Sequence, residues 1–384
     1  MRIGYLLYDE SYSGVIESQA LDVVRFYNAQ KEHHAVLITA LPFRSHREVL
    51  DKYKASISAP ILSMIALPQK LQVLGLRMEM LRIARLAKKA NVDLLICRNA
   101  LSCYIALNAR KYMANNSKPI ICYDGRGALK AEAIEFKVYP ESFKTTLFRA
   151  ERASVLHSDF RIAVTKELVE WWNMEYGYNS EDHAIIPTTI STQVQDFDPK
   201  KNRTRWRQHF GFDATEVVLT FAGGKADWQG LTFWLPHMHE WLENIPHLKL
   251  LLLTPPHPLI SELFARFPSR VINTFVPHED VLNALSAADH GIMWREFNVT
   301  NKVASPTKLS EYLQAGLNII TNKGTAVSGI VMEHKIGVCL QPKYRPDYSL
   351  ILASSRHPLG KLNLTKKIFY NGIIGKIQFD EGNT

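Results

Sequence analysis

Several things that would announce a function are missing from this chain of 384 residues. Its four cysteines, Cys97, Cys103, Cys122 and Cys339, fall at no paired spacing, which argues against a zinc site or a disulfide framework and for reduced core thiols. No apolar run approaches the roughly 18 residues that cross a bilayer. The opening Met1-Arg2 runs straight into IGYLLY and then Asp9-Glu10, too short for the core of a signal peptide, so a cytoplasmic protein is expected. Neither the dinucleotide fingerprint G-x-G-x-x-G nor the P-loop pattern G-x-x-x-x-G-K-[ST] occurs at the candidate turns, which argues against a nicotinamide enzyme and an NTPase. Histidines and carboxylates show no metal-ligand spacing, and no cofactor is expected. There is no short internal repeat and no low-complexity segment.

What is present describes a globular α/β protein. Hydrophobic residues make up 46% and charged residues 22%, and the length suits two domains with separate cores. A net charge of +9 favours anionic partners such as nucleotide phosphates, lipid pyrophosphates or an acidic membrane surface. The basic residues are dispersed and no recognition module appears, so nucleic acid is not expected as a partner.

The stretch Asn301 to Thr321, NKVASPTKLSEYLQAGLNIIT, organises the rest. Ser305 suits an N-cap, Pro306 the first helical position and Gly316 the residue beyond the last turn, which predicts a helix from Pro306 to Ala315. Leu309, Tyr312 and Leu313 share its core face, and Leu317 to Thr321 reads as a buried strand. Lys308 in the first turn adds positive charge to the positive end of the helix dipole. An anion there resolves the conflict, with Ser305 and Thr307 as hydroxyl donors and Glu311 left to accept from a sugar diol. The spacing equally allows an exposed Lys308 to Glu311 pair, contributing about 0.2–0.5 kcal/mol.

Along the chain, Ile3 to Tyr8 reads as a strand, Asp9 to Gly14 as a glycine-ended turn and Val15 to Asn28 as a helix, the opening unit of a doubly wound domain. Gly14 serves either as an ordinary turn residue or as a close approach for a ligand. Ala35 to Ala40, Asp93 to Cys97 and Ile120 to Tyr123 continue the parallel strands. The turn Asp124-Gly125-Arg126-Gly127 then sets a carboxylate and a guanidinium at a strand's carboxyl end. Asp124 suits an acceptor hydroxyl and Arg126 a phosphate, or Asp124 is a turn aspartate and Arg126 belongs to a structural ion pair with a glutamate. Leu71 to Ala90 is a basic amphipathic helix, compatible with an anionic membrane surface and with a solvated face. A boundary is expected at Pro187. Beyond it, Val217 to Ala222 leads into Gly223-Gly224-Lys225, two glycines that admit a ligand to the backbone and a lysine able to neutralise a diphosphate. Pro236 sits awkwardly in the helix that follows.

The pattern S-P-T-K-x-x-E-Y-L-x-x-G with its apolar strand resembles the donor-binding segment of bacterial GT-B glycosyltransferases similar to glycosyltransferase family 4, the group that builds surface polysaccharides. The Asp124 and Gly223 turns are similar to turns of the same group. The resemblance implies two facing Rossmann-like doubly wound domains with a cleft between them: residues 1–187 for the acceptor, 188–360 for the nucleotide sugar, and 361–384 returning to the first. It implies transfer from a UDP- or GDP-sugar to a saccharide or lipid-linked acceptor, retaining and without metal. The catalytic residues implied are Asp124, Arg126, Lys225 and Lys308. The donor set implied is Gly14, Gly223, Gly224, Lys225, Ser305, Thr307, Lys308 and Glu311. Val276-Pro277-His278 matches the segment that touches the base, and the reaction would lie at the inner face of the cell membrane. One departure is Val303, where relatives often carry a second glutamate. A nucleotide-sugar epimerase and a catalytically silent nucleotide-binding protein remain as alternatives.

Overall fold

The structure is a computed structural model and describes residues 1–67, 69–115, 118–194, 197–224, 226–340 and 364–380. The chain divides into two compact units, Met1–Thr192 with Thr365–Thr384, and Gln193–Leu364. The first crossing therefore falls five residues later than the boundary expected at Pro187. Thr188 and Thr189 are buried, the Thr189 carbonyl accepts from Gln19 Nε2 at 3.2 Å, and Thr192 N–H donates to Asp22 at 2.8 Å, so this polar run packs against the first unit. The second crossing falls at 364/365 rather than 360/361.

The first unit holds a parallel sheet of β1 (Arg2–Tyr8), β2 (His34–Pro42), β3 (Ile61–Ala66), β4 (Leu94–Arg98), β5 (Ile120–Gly125), β6 (Phe160–Ala163) and β7 (His183–Ile185), in the order β3-β2-β1-β4-β5-β6-β7. Parallel strands are covered on both faces, which explains apolar runs such as IGYLLY in place of alternation. Strand β3 was not expected from the sequence. It is a half-exposed edge, where the pattern is weakest. The order reverses between β1 and β4, the switch point at which ligands of such sheets bind. After β1 the chain turns at Ser13, whose side chain accepts from Ile16 N–H, so Gly14 is the first residue of a helix rather than the last of a turn. That helix runs on through a π turn, Glu17–Leu21, to Asn28. The final helix, Lys366–Asp380, packs on the same unit: Tyr370 is buried and its carbonyl accepts from Tyr27 Oη at 3.3 Å.

The second unit repeats the plan with β8 (Val217–Ala222), β9 (Leu248–Leu253), β10 (Val271–Asn273), β11 (His290–Met293), β12 (Asn318–Asn322) and β13 (Gly337–Leu340), ordered β10-β9-β8-β11-β12-β13, all parallel. Its switch point lies between β8 and β11. Trp234 and Trp241 fill the core beside Phe221, Leu250 and Leu252. Pro236 breaks the helix between them into Leu231–Trp234, a 3-10 turn Leu235–His237, and Met238–Asn244, because a proline cannot donate within a helix interior. No described helix is long and apolar enough to cross a membrane.

Candidate functional site

The helix of the 301–321 stretch spans Thr307–Gln314. Its N-cap is Pro306, with extended backbone at φ −68° and ψ 139°, so Ser305 lies one residue before the cap and the expected Ser305 N-cap is corrected. At the far end Gly316 has φ 74°, and Leu317 N–H donates to the Tyr312 carbonyl at 2.9 Å, the left-handed closure a glycine permits. Leu309, Tyr312 and Leu313 are buried as their spacing requires, each contributing about 2 kcal/mol. Tyr312 fixes the helix to β8: its hydroxyl accepts from Ala222 N–H at 3.0 Å, and its ring fills the space that a Cβ on Gly291 would occupy.

This anchoring carries Lys308 inward. Its side chain is 7% exposed, which corrects the exposed pair with Glu311 that the spacing also allowed. Nζ donates to Gln229 Oε1 at 2.5 Å and sits 3.7 Å from the centre of the Phe221 ring. Directly beside it is the Gly223 backbone, where a Cβ would come within 2.5 Å of Lys308 Nζ and 2.4 Å of Gln229 Oε1. Only glycine fits. Burial drives the Lys308 ammonium well below its ordinary value, the Arg295 charge adds to the effect and Glu311 opposes it.

Arg295 follows β11 and is itself buried, which lowers it to about 10. Asn322 clasps its backbone through bonds of 2.9 and 2.7 Å, and its Nη1 donates to Asn301 Oδ1 at 3.2 Å. Asn301 is in turn set by the short helix Val299–Val303, whose N-cap Asn298 accepts from Asn301 N–H. Gly223, Gln229, Arg295 and Lys308 thus converge at the carboxyl ends of β8 and β11 from three separate stretches of chain. The arrangement can hold an anion, because two buried cations face each other's surroundings with neutral amides for partners.

Of the residues expected at the site, Gly223 and Lys308 meet directly, and Glu311 lies one turn further along the same helix, half-buried. Gly224 is exposed in the turn, and Ser305 and Thr307 are half-buried just ahead of Lys308. Lys225 lies outside the described residues, as does the side chain of His278. Gln229, Arg295 and Asn301 were not singled out as site residues. The only signal for Arg295 was its place, a charged residue directly after the apolar strand HGIMW.

In the first unit Asp124 lies at the carboxyl end of β5 as expected but is fully buried, not open to an acceptor hydroxyl. It accepts from Tyr5 Oη at 2.5 Å and pairs with Arg126 Nε at 2.8 Å, while Arg126 Nη2 also donates to Tyr370 Oη at 2.9 Å. The ion-pair alternative is what the geometry shows, with Asp124 rather than a glutamate as the partner. Gly14 lies in this same unit, its carbonyl accepting from Ser18 Oγ at 2.8 Å. Among the described residues no group of three His, Cys, Asp or Glu side chains comes together as a metal site.

Residues 264–342, which include Arg295, Lys308 and Glu311, match the sequence family described as Glucosyltransferase 3-like, C-terminal domain. A search of curated protein sequences finds no match. Among solved structures, a glycosyltransferase from Rickettsia africae is similar with a TM-score of 0.70 at 14% identity, over 100% of this chain and 99% of that one. HepE from Anabaena, solved in complex with UDP-glucose, is similar with a TM-score of 0.68 at 14% identity, over 99% and 100%. The lipopolysaccharide outer core galactosyltransferase WaaB is similar with a TM-score of 0.65 at 13% identity, also over 99% and 100%. The chain has the GT-B fold, two Rossmann-like units.

Proposed function

We propose that this GT-B chain, with its glucosyltransferase 3-like stretch in the second unit, moves a sugar from a nucleotide-sugar donor to a saccharide or lipid-linked acceptor in cell-surface polysaccharide synthesis. The observation that carries this reading is the Lys308 ammonium, buried against Gly223 and held by a neutral amide. Transfer leaves a nucleoside diphosphate behind, and a fixed cation in a dry site stabilises that developing charge. Lys308 is the residue for it, with Lys225, Ser305 and Thr307 as further donors around the diphosphate and Glu311 accepting from the ribose diol. Gly223 and Gly224 let the phosphates reach the backbone.

A uridine nucleotide is favoured over a guanosine one because HepE was solved with UDP and with UDP-glucose. The acceptor belongs to the first unit, the reaction to the cytoplasm at the inner face of the membrane, and the chemistry to the retaining, metal-independent type. Val303, where relatives often carry a glutamate, is buried at 1% exposure, so the contact to the donor sugar falls to other groups. The Asp124 to Arg126 pair then serves to hold the end of β5 rather than to touch an acceptor.

Calorimetric titration with UDP, GDP, ADP and dTDP tests the donor site. One nucleotide is expected to bind the wild-type protein and to lose at least tenfold in affinity in Lys308→Ala and Glu311→Ala. Absence of binding by all four would remove the reading. Incubation with the matching nucleotide sugar, with and without a saccharide acceptor, separates transfer from epimerisation, which needs no acceptor.

A further inference from the structure

Arg98 ends β4, beside the reversal in strand order of the first sheet, and is 7% exposed. Its register partner is Asp124 on β5, and alternation along β4 puts it on the sheet face that Ile96 shares with Tyr5 and Cys122. Strand ends at such a reversal are where open α/β sheets receive ligands.

The charges buried around this face nearly balance. Asp22 pairs with Lys366 at 2.5 Å and with Arg25 at 3.1 Å, and Arg25 Nη1 also meets Glu17 at 2.7 Å. Asp124 pairs with Arg126. Three carboxylates there make direct ion pairs with three cations, and Arg98 is a fourth cation outside those pairs. Its Nη1 is fully buried and has no hydrogen-bond partner among the described residues, nor does any described carboxylate come within ion-pair distance of its guanidinium. The surrounding hydroxyls within its electrostatic reach are those of Tyr5, Tyr53 and Tyr370. Glu10, at the neighbouring strand end, accepts from Asn99 Nδ2 at 2.7 Å; the amide leaves its charge in place, and that charge and the one on Arg98 both reach the Tyr53 hydroxyl. A buried guanidinium without a hydrogen-bonded or ion-paired partner weakens the fold unless something outside the chain supplies one.

We propose that Arg98 is an oxyanion-binding residue, its planar fork taking the two oxygens of a phosphoryl or carboxylate group on the acceptor. The word acceptor rests on the function proposed above, while the anion site stands on the unpartnered, buried Arg98 guanidinium at the end of β4 alone. A phosphoryl group would come from a lipid-linked acceptor and a carboxylate from an acidic saccharide. Both present the coplanar charged oxygens that an arginine matches in bidentate fashion.

Thermal unfolding tests this without assuming activity. Without ligand, Arg98→Met is expected to melt at or above the wild-type temperature, because it removes a buried charged group that has no bonded partner. Arg126→Met, which strands Asp124, is expected to melt roughly 5 °C or more lower. Millimolar inorganic pyrophosphate or glucuronate, added to Lys308→Ala so that the second unit does not respond, is expected to raise the melting temperature by about 3 °C. The rise should vanish on adding Arg98→Met and shrink with Arg98→Lys, which keeps the charge and loses the fork. A rise with pyrophosphate only identifies a phosphoryl ligand, and a rise with glucuronate only a carboxylate. Destabilisation by Arg98→Met as large as that by Arg126→Met, or no rise with either anion, overturns the proposal. UDP titration of the wild-type protein reports separately: UDP binding without an anion response leaves the donor reading and removes the Arg98 site, and the reverse outcome does the opposite.

Discussion

Lys308 Nζ donates to Gln229 Oε1 at 2.5 Å across 79 residues of sequence, and the two side chains enclose the space that a Cβ on Gly223 would need. A neutral amide satisfies a proton of the ammonium without cancelling its charge. Next to the Phe221 ring and within the field of Arg295, that charge is held at a cost which the diphosphate proposed above would remove.

Proton uptake on binding is the first consequence. Burial and the Arg295 charge depress Lys308 in the folded protein below the ordinary lysine value of 10.5, against the opposing pull of Glu311. Between the depressed value and 10.5 the unfolded chain binds more protons, so the stability of the free protein rises with pH through that window. A bound diphosphate restores the proton. Calorimetric heats of UDP binding at alkaline pH, measured in buffers of differing ionisation enthalpy, should report uptake approaching one proton in the wild-type protein and none in Lys308→Met.

Gly291 on β11 faces the Tyr312 ring, and an alanine there would bring its Cβ within 2.1 Å of the ring. Gly291→Ala is expected to cost about 1–3 kcal/mol by overpacking. Because Tyr312 and Lys308 ride on the same helix, nucleotide affinity should fall with stability. Unchanged UDP binding in a destabilised Gly291→Ala protein would show that the helix does not set the position of Lys308.

The Asp22 to Lys366 pair is fully buried, and the Lys366 ammonium also donates to the carbonyls of Ser18 at 3.1 Å and Ile190 at 3.2 Å. Removing one partner leaves a buried charge, so Lys366→Met should lose about 3–5 kcal/mol in urea unfolding. The double variant Lys366→Met with Asp22→Leu should recover much of that loss. Equal losses in the single and double variants would argue that the cost lies in packing of the final helix and not in the pair.

Glu151 is buried beneath the helix Leu129–Glu135, accepting from Leu129 N–H and Lys130 N–H at 2.8 Å and from Tyr176 Oη at 2.7 Å. Burial outweighs these donors and pushes it from 4.5 up to about 7. The folded state therefore holds the proton that the unfolded chain releases. Stability from this group is present below 4.5, declines as pH rises towards 7 and then levels off, by at most about 3 kcal/mol. Urea midpoints at about pH 5 and about pH 8 should differ less in Glu151→Gln than in the wild-type protein.

Local features were readable because their causes are local. The apolar strands, the glycine that closes the helix before β12, and the core spacing of Leu309, Tyr312 and Leu313 follow from propensity and periodicity over a few residues. The helix start moved by one residue because Pro306 takes extended backbone, and Ser305 with Pro306 fits two neighbouring registers equally well. The edge strand β3 escaped notice because a half-exposed edge has a weak pattern.

The amino-acid order by itself determined two doubly wound units and marked Lys308 and Gly223 as residues that want a ligand. Only the tertiary structure decided what surrounds each charge. Gln229 reaches Lys308 from another turn, Arg295 arrives behind β11, and Tyr5 and Tyr370 close over Asp124 and Arg126 from 119 and 244 residues away. The reason is electrostatic. Whether a charged side chain becomes a surface ligand, a buried pair or a buried cation without a bonded partner such as Arg98 depends on which distant segments exclude water from it, and no local pattern encodes that.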